Sequence, residues 1–276
     1  LCDLAPLHNP AHLVGIRAFK QILPQVKQVA VFDTAFHQTM EKDVYMYATP
    51  YEWYEKYGIR KYGAHGTSHQ YVAQEVAKEM DRPLEELKIV TLHLGNGASI
   101  TAIKNGKCVD TSMGLTPLEG IPMGTRSGNI DPTIIEVIAN KEGLSISEVL
   151  NLLNKKSGYL GVSGISNDSR DLEAGVESGN ERAKLALDIQ YKRIADYIGS
   201  YYVLLGGIDA LVFTAGIGEN SARCRSEVLK RVSVLGVEVD EERNARRGGV
   251  NLISTPESKV KAYVIPSNEE LVIARD

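Results

Sequence analysis

Three observations point to an α/β fold. Runs of β-forming residues alternate with helical stripes along the chain, Asn105-Gly106 marks a tight hairpin, and glycine-punctuated loops follow the strand-type runs. With 276 residues, 43% of them hydrophobic, there is material for a sizeable core in one or two domains.

Asn9-Pro10 form an N-cap and first-turn pair, and Leu13, Ile16 and Ile22-Leu23 supply the apolar stripe of a helix. Gln28 to Phe32 reads as a buried strand ending on Asp33, where open α/β sheets place ligand chemistry. Thr49-Pro50 opens a short aromatic helix that closes on Gly58, and the loop Tyr62 to His69 leads into a helix over Gln70 to Met80. The central stretch, Lys88 to Pro132, holds three short strands around the turns Gly95 to Ser99 and Asn105-Gly106. A glycine-rich loop follows, with Arg126 between Gly124 and Gly128, and ends on the helix start Asp131-Pro132.

Ser145 and Glu148 make a capping box for a helix with Gly158 just beyond its end, and Gly161 to Arg170 reads as a long polar loop. From Asn180 a long helix turns Leu187, Tyr191, Ile194, Ile198 and Leu205 inward and stops at Gly206-Gly207. Ala210 to Thr214 is a buried strand entering Gly216 to Ser221 and another helix, Val237 to Val239 and Val260 to Ile265 are strands, and Asn268 opens a final helix. No composition shift marks a domain boundary.

A net charge of −4 without a lysine or arginine block argues against a nucleic-acid surface, and no apolar run is long enough to span a bilayer. The three cysteines, Cys2, Cys108 and Cys224, lack metal-ligand spacing and fit a reducing, cytoplasmic setting. The sequence opens on leucine and closes inside a helical pattern, so a piece of a longer protein is expected.

Each chemical candidate has a plain reading beside it. Gly216-Ile217-Gly218 after a strand allows a dinucleotide site, but Ser221 stands where its third glycine belongs. His65 and His69 have zinc-like spacing without the H-E-x-x-H form; His69 reads as a surface or capping residue, and His65 as a donor to an anion. Asp33 is an N-cap or a Mg²⁺ contact, Arg126 an ion-pair partner or an anion binder, and Glu269 a first-turn carboxylate. Together they describe phosphate chemistry with a metal.

Six blocks carry a more specific resemblance: VAVFDTAFHQTM (29–40), KYGAHGTSHQYV (61–72), HLGNGASITAI (93–103), DTSMGLTPLEG with MGTRSGNIDP (110–132), FTAGIGENS (213–221) and IPSNEEL (265–271). In that order, over nearly the whole chain, the sequence resembles the acetate kinases. The resemblance implies the duplicated ribonuclease-H-like fold of actin, Hsp70 and the sugar kinases. Residues 1–36 would be a remnant of the first domain, 37–267 the second, nucleotide-binding domain, and 268–276 the start of a helix returning to the first. It also implies a cytoplasmic homodimer that moves a phosphoryl group reversibly between ATP and acetate, giving ADP and acetyl phosphate, with Mg²⁺ or Mn²⁺. A propionate- or butyrate-type acyl kinase and a non-catalytic actin-like nucleotide module are the alternatives.

The implied roles run as follows. Arg126 and His65 attend the transferred phosphoryl; His93, Asn96 and Gly97 the nucleotide phosphates; Asp33 and Glu269 the metal. Asp168, Arg170, Gly216, Ile217, Gly218 and Asn220 hold the adenosine, and Leu7, His8, Ala64 and Pro117 line the acyl pocket. Some relatives carry phenylalanine where Ala64 stands, which implies a wider pocket here. The family's amino-terminal phosphate motif, a second active-site arginine and the end of the last helix are not in this sequence, so the 276-residue chain by itself is expected to be inactive.

Overall fold

The computed structural model describes residues 9–275, so Leu7 and His8 lie outside the described residues. Helix α1 (Asn9–Ile22) presents Val14, Phe19 and Ile22 to solvent. After a short 3₁₀ turn come α2 (Lys42–Tyr45) and α3 (Tyr51–Tyr57), the latter closed by Gly58 in the left-handed conformation. Helix α4 (Gly66–Glu79) leads to the hairpin strands β1 (Lys88–Leu94), β2 (Ala98–Lys104) and β3 (Lys107–Thr111). Four helices follow: α5 (Thr133–Glu142), α6 (Ile146–Lys155), α7 (Gly158–Ser163) and α8 (Ser169–Glu177). The long α9 (Glu181–Leu205) precedes β4 (Ala210–Thr214), α10 (Ala215–Asn220) and α11 (Ala222–Arg231). The chain ends with α12 (Glu241–Asn244), β5 (Asn251–Leu252), β6 (Lys261–Val264) and α13 (Glu269–Arg275).

Six strands form one sheet in the order β3-β2-β1-β4-β6-β5, with β1, β4 and β6 mutually parallel and the rest antiparallel. Strand alternation then sorts the side chains onto two faces. Val90, Leu92 and Leu94 join Ile100, Phe213 and the inner stripe of α9 in the larger core, as the stripe of Leu187, Tyr191, Ile194, Ile198 and Leu205 predicts. Ile89, Ile103 and Val212 pack against Val72 and Val76 of α4 on the other face. Thr91 and His93, two and four residues on from Ile89, continue that second face toward the carboxyl end of the sheet and are buried polar groups. The chemistry collects there, where β1, β4 and β6 all end.

Several expectations change. Residues 28–32 are not a strand: Val29 is 79% exposed and Phe32 60%, and no strand among the described residues lies alongside to take up their N–H and C=O groups. β-propensity without a partner makes no ladder. Helix α4 begins at Gly66 rather than Gln70, half of the predicted loop 161–170 is taken by α7 and α8, leaving 164–168 as loop, and Gly158 opens α7. Val237 to Val239 contributes one isolated bridge, Val239 to Ser254, while β5 was not anticipated. The Ser145/Glu148 capping box forms as read.

Candidate active site

The turn after β1 is built from glycines because other groups crowd it. A Cβ on Gly97 would sit 3.2 Å from Arg126 Nη1 and 3.7 Å from His65 Nε2, and one on Gly124 1.9 Å from Asn96 Oδ1. Gly124 N–H also donates to Asn96 O at 3.2 Å, which locks the arginine loop onto the turn. His65, Asn96, Gly97 and Arg126, widely separated in sequence, are thus brought to one spot. Arg126 is half-buried; its Nη1 reaches only Pro117 O and Met123 Sδ, each at 3.5 Å, and no carboxylate among the described residues pairs with it. Burial lowers its pKa without a compensating anion. A buried guanidinium lacking a counter-charge is a ready site for one.

His65 caps α4 in the left-handed conformation, φ +58°, strained for a residue with a Cβ. Asp33 holds it there: its Oδ2 accepts the His65 N–H at 2.6 Å and its backbone oxygen accepts Gly66 N–H at 2.8 Å. No side chain fits at Gly66, where a Cβ would come 2.4 Å from Asp33 O. The His65 ring stacks on His93, centroids 4.0 Å apart, and its Nδ1 meets Ser99 Oγ at 2.8 Å. His93 in turn bonds Ser68 Oγ through Nδ1.

His69 is not a surface or capping residue; it is fully buried, spanning Thr91 Oγ1 and Ser99 Oγ at 2.7 Å each. Helical spacing from His65 carries it inward onto the polar end of the second face. His37, unremarked in the sequence, is buried beside it and donates through Nε2 to Ala64 O at 2.8 Å, tying down the turn before His65. Burial, reinforced by the neighbouring imidazoles for His69 and His93, keeps this layer neutral; His93 is pushed down to about 3.

Asp33 has a second carboxylate within electrostatic range. Glu269, in the first turn of α13, has its pKa raised by burial and then by the charge of Asp33. Two oxygen donors that repel each other fit a divalent cation between them, and a pair completed by water and phosphate oxygens suits Mg²⁺. Asp168 and Arg170 pair with each other at the start of α8, holding the Asp168 carboxyl down to about 2. That helix meets the Gly216 segment further along, where Ser221 Oγ donates to Glu173. Pro117 O accepts a hydrogen bond from Arg126 Nη1, and Ala64 packs on the edge of the main core.

Sequence reading missed Ser99, Glu219 and Arg225. Ser99 was within reach, since a tight turn at 95–97 pairs His93 with Ser99 across the hairpin. The fully buried Arg225 donates to Gly218 O, Glu219 O and Asn244 and so holds the carbonyls of α10, a role no local pattern announces.

An arginine and a histidine around a glycine turn, with the Asp33 carboxylate on the histidine's backbone, at the carboxyl edge of a parallel sheet core, point to the phosphoryl-transfer class of α/β proteins. Residues 1–275 match the Acetokinase family, and the chain belongs to it. It is 61% identical over 276 residues to an acetate kinase of Aster yellows witches'-broom phytoplasma, covering 100% of this chain and 67% of that one. An acetate kinase of Halothermothrix orenii is 62% identical over 274 residues, 99% of this chain and 69% of the relative. Among solved structures, Porphyromonas gingivalis acetate kinase superposes with a TM-score of 0.95 at 48% identity, over 100% of this chain and 69% of that one. A propionate kinase from Francisella tularensis gives 0.94 at 48% identity, over 99% and 70%.

Gly124→Ala tests the lock between the arginine loop and the turn. Its methyl would displace the Asn96 side chain and press on Asn167 O, 2.9 Å away. About a tenfold rise in the KM for nucleotide is expected, with a lowered melting temperature from the overlap with the Asn167 backbone, read on the full-length protein by steady-state kinetics beside thermal melts. An unchanged KM would remove Asn96 from the nucleotide site.

Proposed function

We propose that this chain supplies the nucleotide side of an acetate kinase, which transfers the γ-phosphoryl of ATP to acetate and returns ADP and acetyl phosphate. The observation that carries the reading is the meeting of Arg126 and His65 over Gly97, with an unneutralised guanidinium aimed at a turn where backbone can approach an anion closely.

The acetate carboxylate is already ionised near neutral pH, so the reaction asks for no general base. One carboxylate oxygen forms the new O–P bond as the bond to the ADP oxygen breaks, and the electron pair leaves with ADP. Arg126 and His65 neutralise the equatorial oxygens of the phosphoryl in flight, where charge stabilisation matters most. His93, Asn96 and Gly97 hold the nucleotide phosphates; Asp168, Arg170 and the segment containing Gly216, Ile217, Gly218 and Asn220 hold adenosine. Asp33 and Glu269 would hold Mg²⁺, which neutralises phosphate charge when bound. Asp33 also keeps His65 in its strained position, so one carboxylate serves both groups.

Ala64 and Pro117, with Leu7 and His8, line the acyl pocket, and residues 37–267 form the nucleotide-binding domain. The reading extends to a cytoplasmic homodimer. A hydroxamate assay on the full-length protein with acetate, propionate and butyrate tests it. Acetate is expected to be preferred, with propionate behind it by less than about a hundredfold, since one methylene is worth only about 1–3 kcal/mol. No ATP-dependent hydroxamate from any of the three acids would sink the proposal.

A further inference from the structure

Within the segment Gly216 to Asn220, the residue without an assigned role is Glu219. Its Oε1 accepts three hydrogen bonds: from Ala215 N–H at 2.9 Å, from Ser267 N–H at 3.0 Å and from Ser267 Oγ–H at 3.2 Å. Those donors belong to two separate segments. Ala215 is the first residue of α10, directly after β4; it sits at φ +64° and its Cβ faces the Gly95 turn, 3.8 Å from where a Cβ on Gly95 would lie. Ser267 lies in the loop after β6, two residues before Glu269. Arg225 adds a bond to Glu219 O, fixing the backbone that carries the carboxylate.

We propose that Glu219 is a positioning residue that couples nucleotide binding to divalent-cation binding. It ties the phosphate-side turn at Ala215 to the loop that sets the position of Glu269. Resting on the reading of Gly216, Ile217, Gly218 and Asn220 as nucleotide residues and Glu269 as a metal carboxylate, it goes beyond that reading by giving the two sites one shared clasp. Ordering either side orders the other through a charge-assisted bond set on a single oxygen. Metal and nucleotide should then strengthen each other's binding even before any phosphoryl is transferred.

The test is the thermodynamic coupling between the two ligands on the full-length protein, by calorimetry with ADP in the presence and absence of Mg²⁺, and by Mn²⁺ binding followed by electron paramagnetic resonance. Unsubstituted protein is expected to bind ADP about tenfold or more tighter with Mg²⁺. Glu219→Ala should leave metal-free ADP binding within about threefold but cut the metal enhancement by about fivefold or more. Glu219→Gln, which keeps an acceptor oxygen, should recover part of it. Ser267→Ala removes one of the three bonds without touching α10 and should lower the enhancement in the same direction, which covers the case of an unfolded Glu219→Ala. Equal loss of ADP affinity with and without metal, or an unchanged enhancement in the variants, overturns the coupling while leaving the site intact. Absence of any metal-dependent ADP binding in the unsubstituted protein overturns the underlying site assignment and the coupling with it.

Discussion

Arg126→Ala should lower kcat by roughly a thousandfold while leaving the protein at least as stable as before. The size follows from losing a preorganised cation aimed at the transferred phosphoryl, worth about 3–4 kcal/mol in comparable sites. The stability half follows from burial: the guanidinium is half-buried without an ion-pair partner among the described residues, and its pKa is lowered by desolvation. Removing an uncompensated charge relieves that cost, so the melting temperature should hold or rise. Arg126→Lys should recover little, because one ammonium replaces a planar fork. Steady-state kinetics and thermal melts on the same preparations of the full-length protein decide the matter. A fall in kcat of less than about tenfold would falsify the role given to Arg126.

Acid should unfold this protein earlier than its carboxylates alone would dictate. His37, His69 and His93 are buried and held neutral, with His93 pushed down to about 3 from an ordinary value of 6.5. The unfolded chain takes up protons at these groups once pH drops below about 6.5, and the folded chain refuses them. Their contribution to stability is therefore complete above that value and shrinks as pH falls, for His93 by about 1.4 kcal/mol per pH unit down toward 3. Between pH 7.5 and 5, urea titrations should show the free energy of unfolding dropping by at least about 2 kcal/mol, with more if all three histidines remain neutral. His93→Gln should flatten the slope by one histidine's share. A constant free energy across that range would mean the imidazole layer takes protons in the folded state.

The central hairpin was legible from residue chemistry alone. Asn105-Gly106 and the alternating β-formers placed β1, β2 and β3, and the caps at Asn180, Ser145 and Gly206 placed two helices within a residue or so of where they lie. The strand expected at 28–32 failed because strand formation is settled by a neighbour. His69, read as a surface or capping residue, was misplaced for a related reason: its burial depends on which side of α4 meets the sheet, and the local spacing to His65 does not tell. Glu219 stayed invisible because its three donors come from Ala215 and from Ser267, 48 residues further on.

Sequence by itself determined the α/β class, the order of the principal elements and the set of residue types suited to phosphate chemistry, since period, capping and turn preferences act over a few residues. Six ordered blocks also carried the family. Only tertiary structure decided that His65, Gly97 and Arg126 share one spot, that Asp33 grips the His65 turn, and that His37, His69 and His93 form a buried polar layer behind them. Those are contacts between distant segments, set by which strands pair and which helix face packs. Local preferences act over a few residues and carry no information about either.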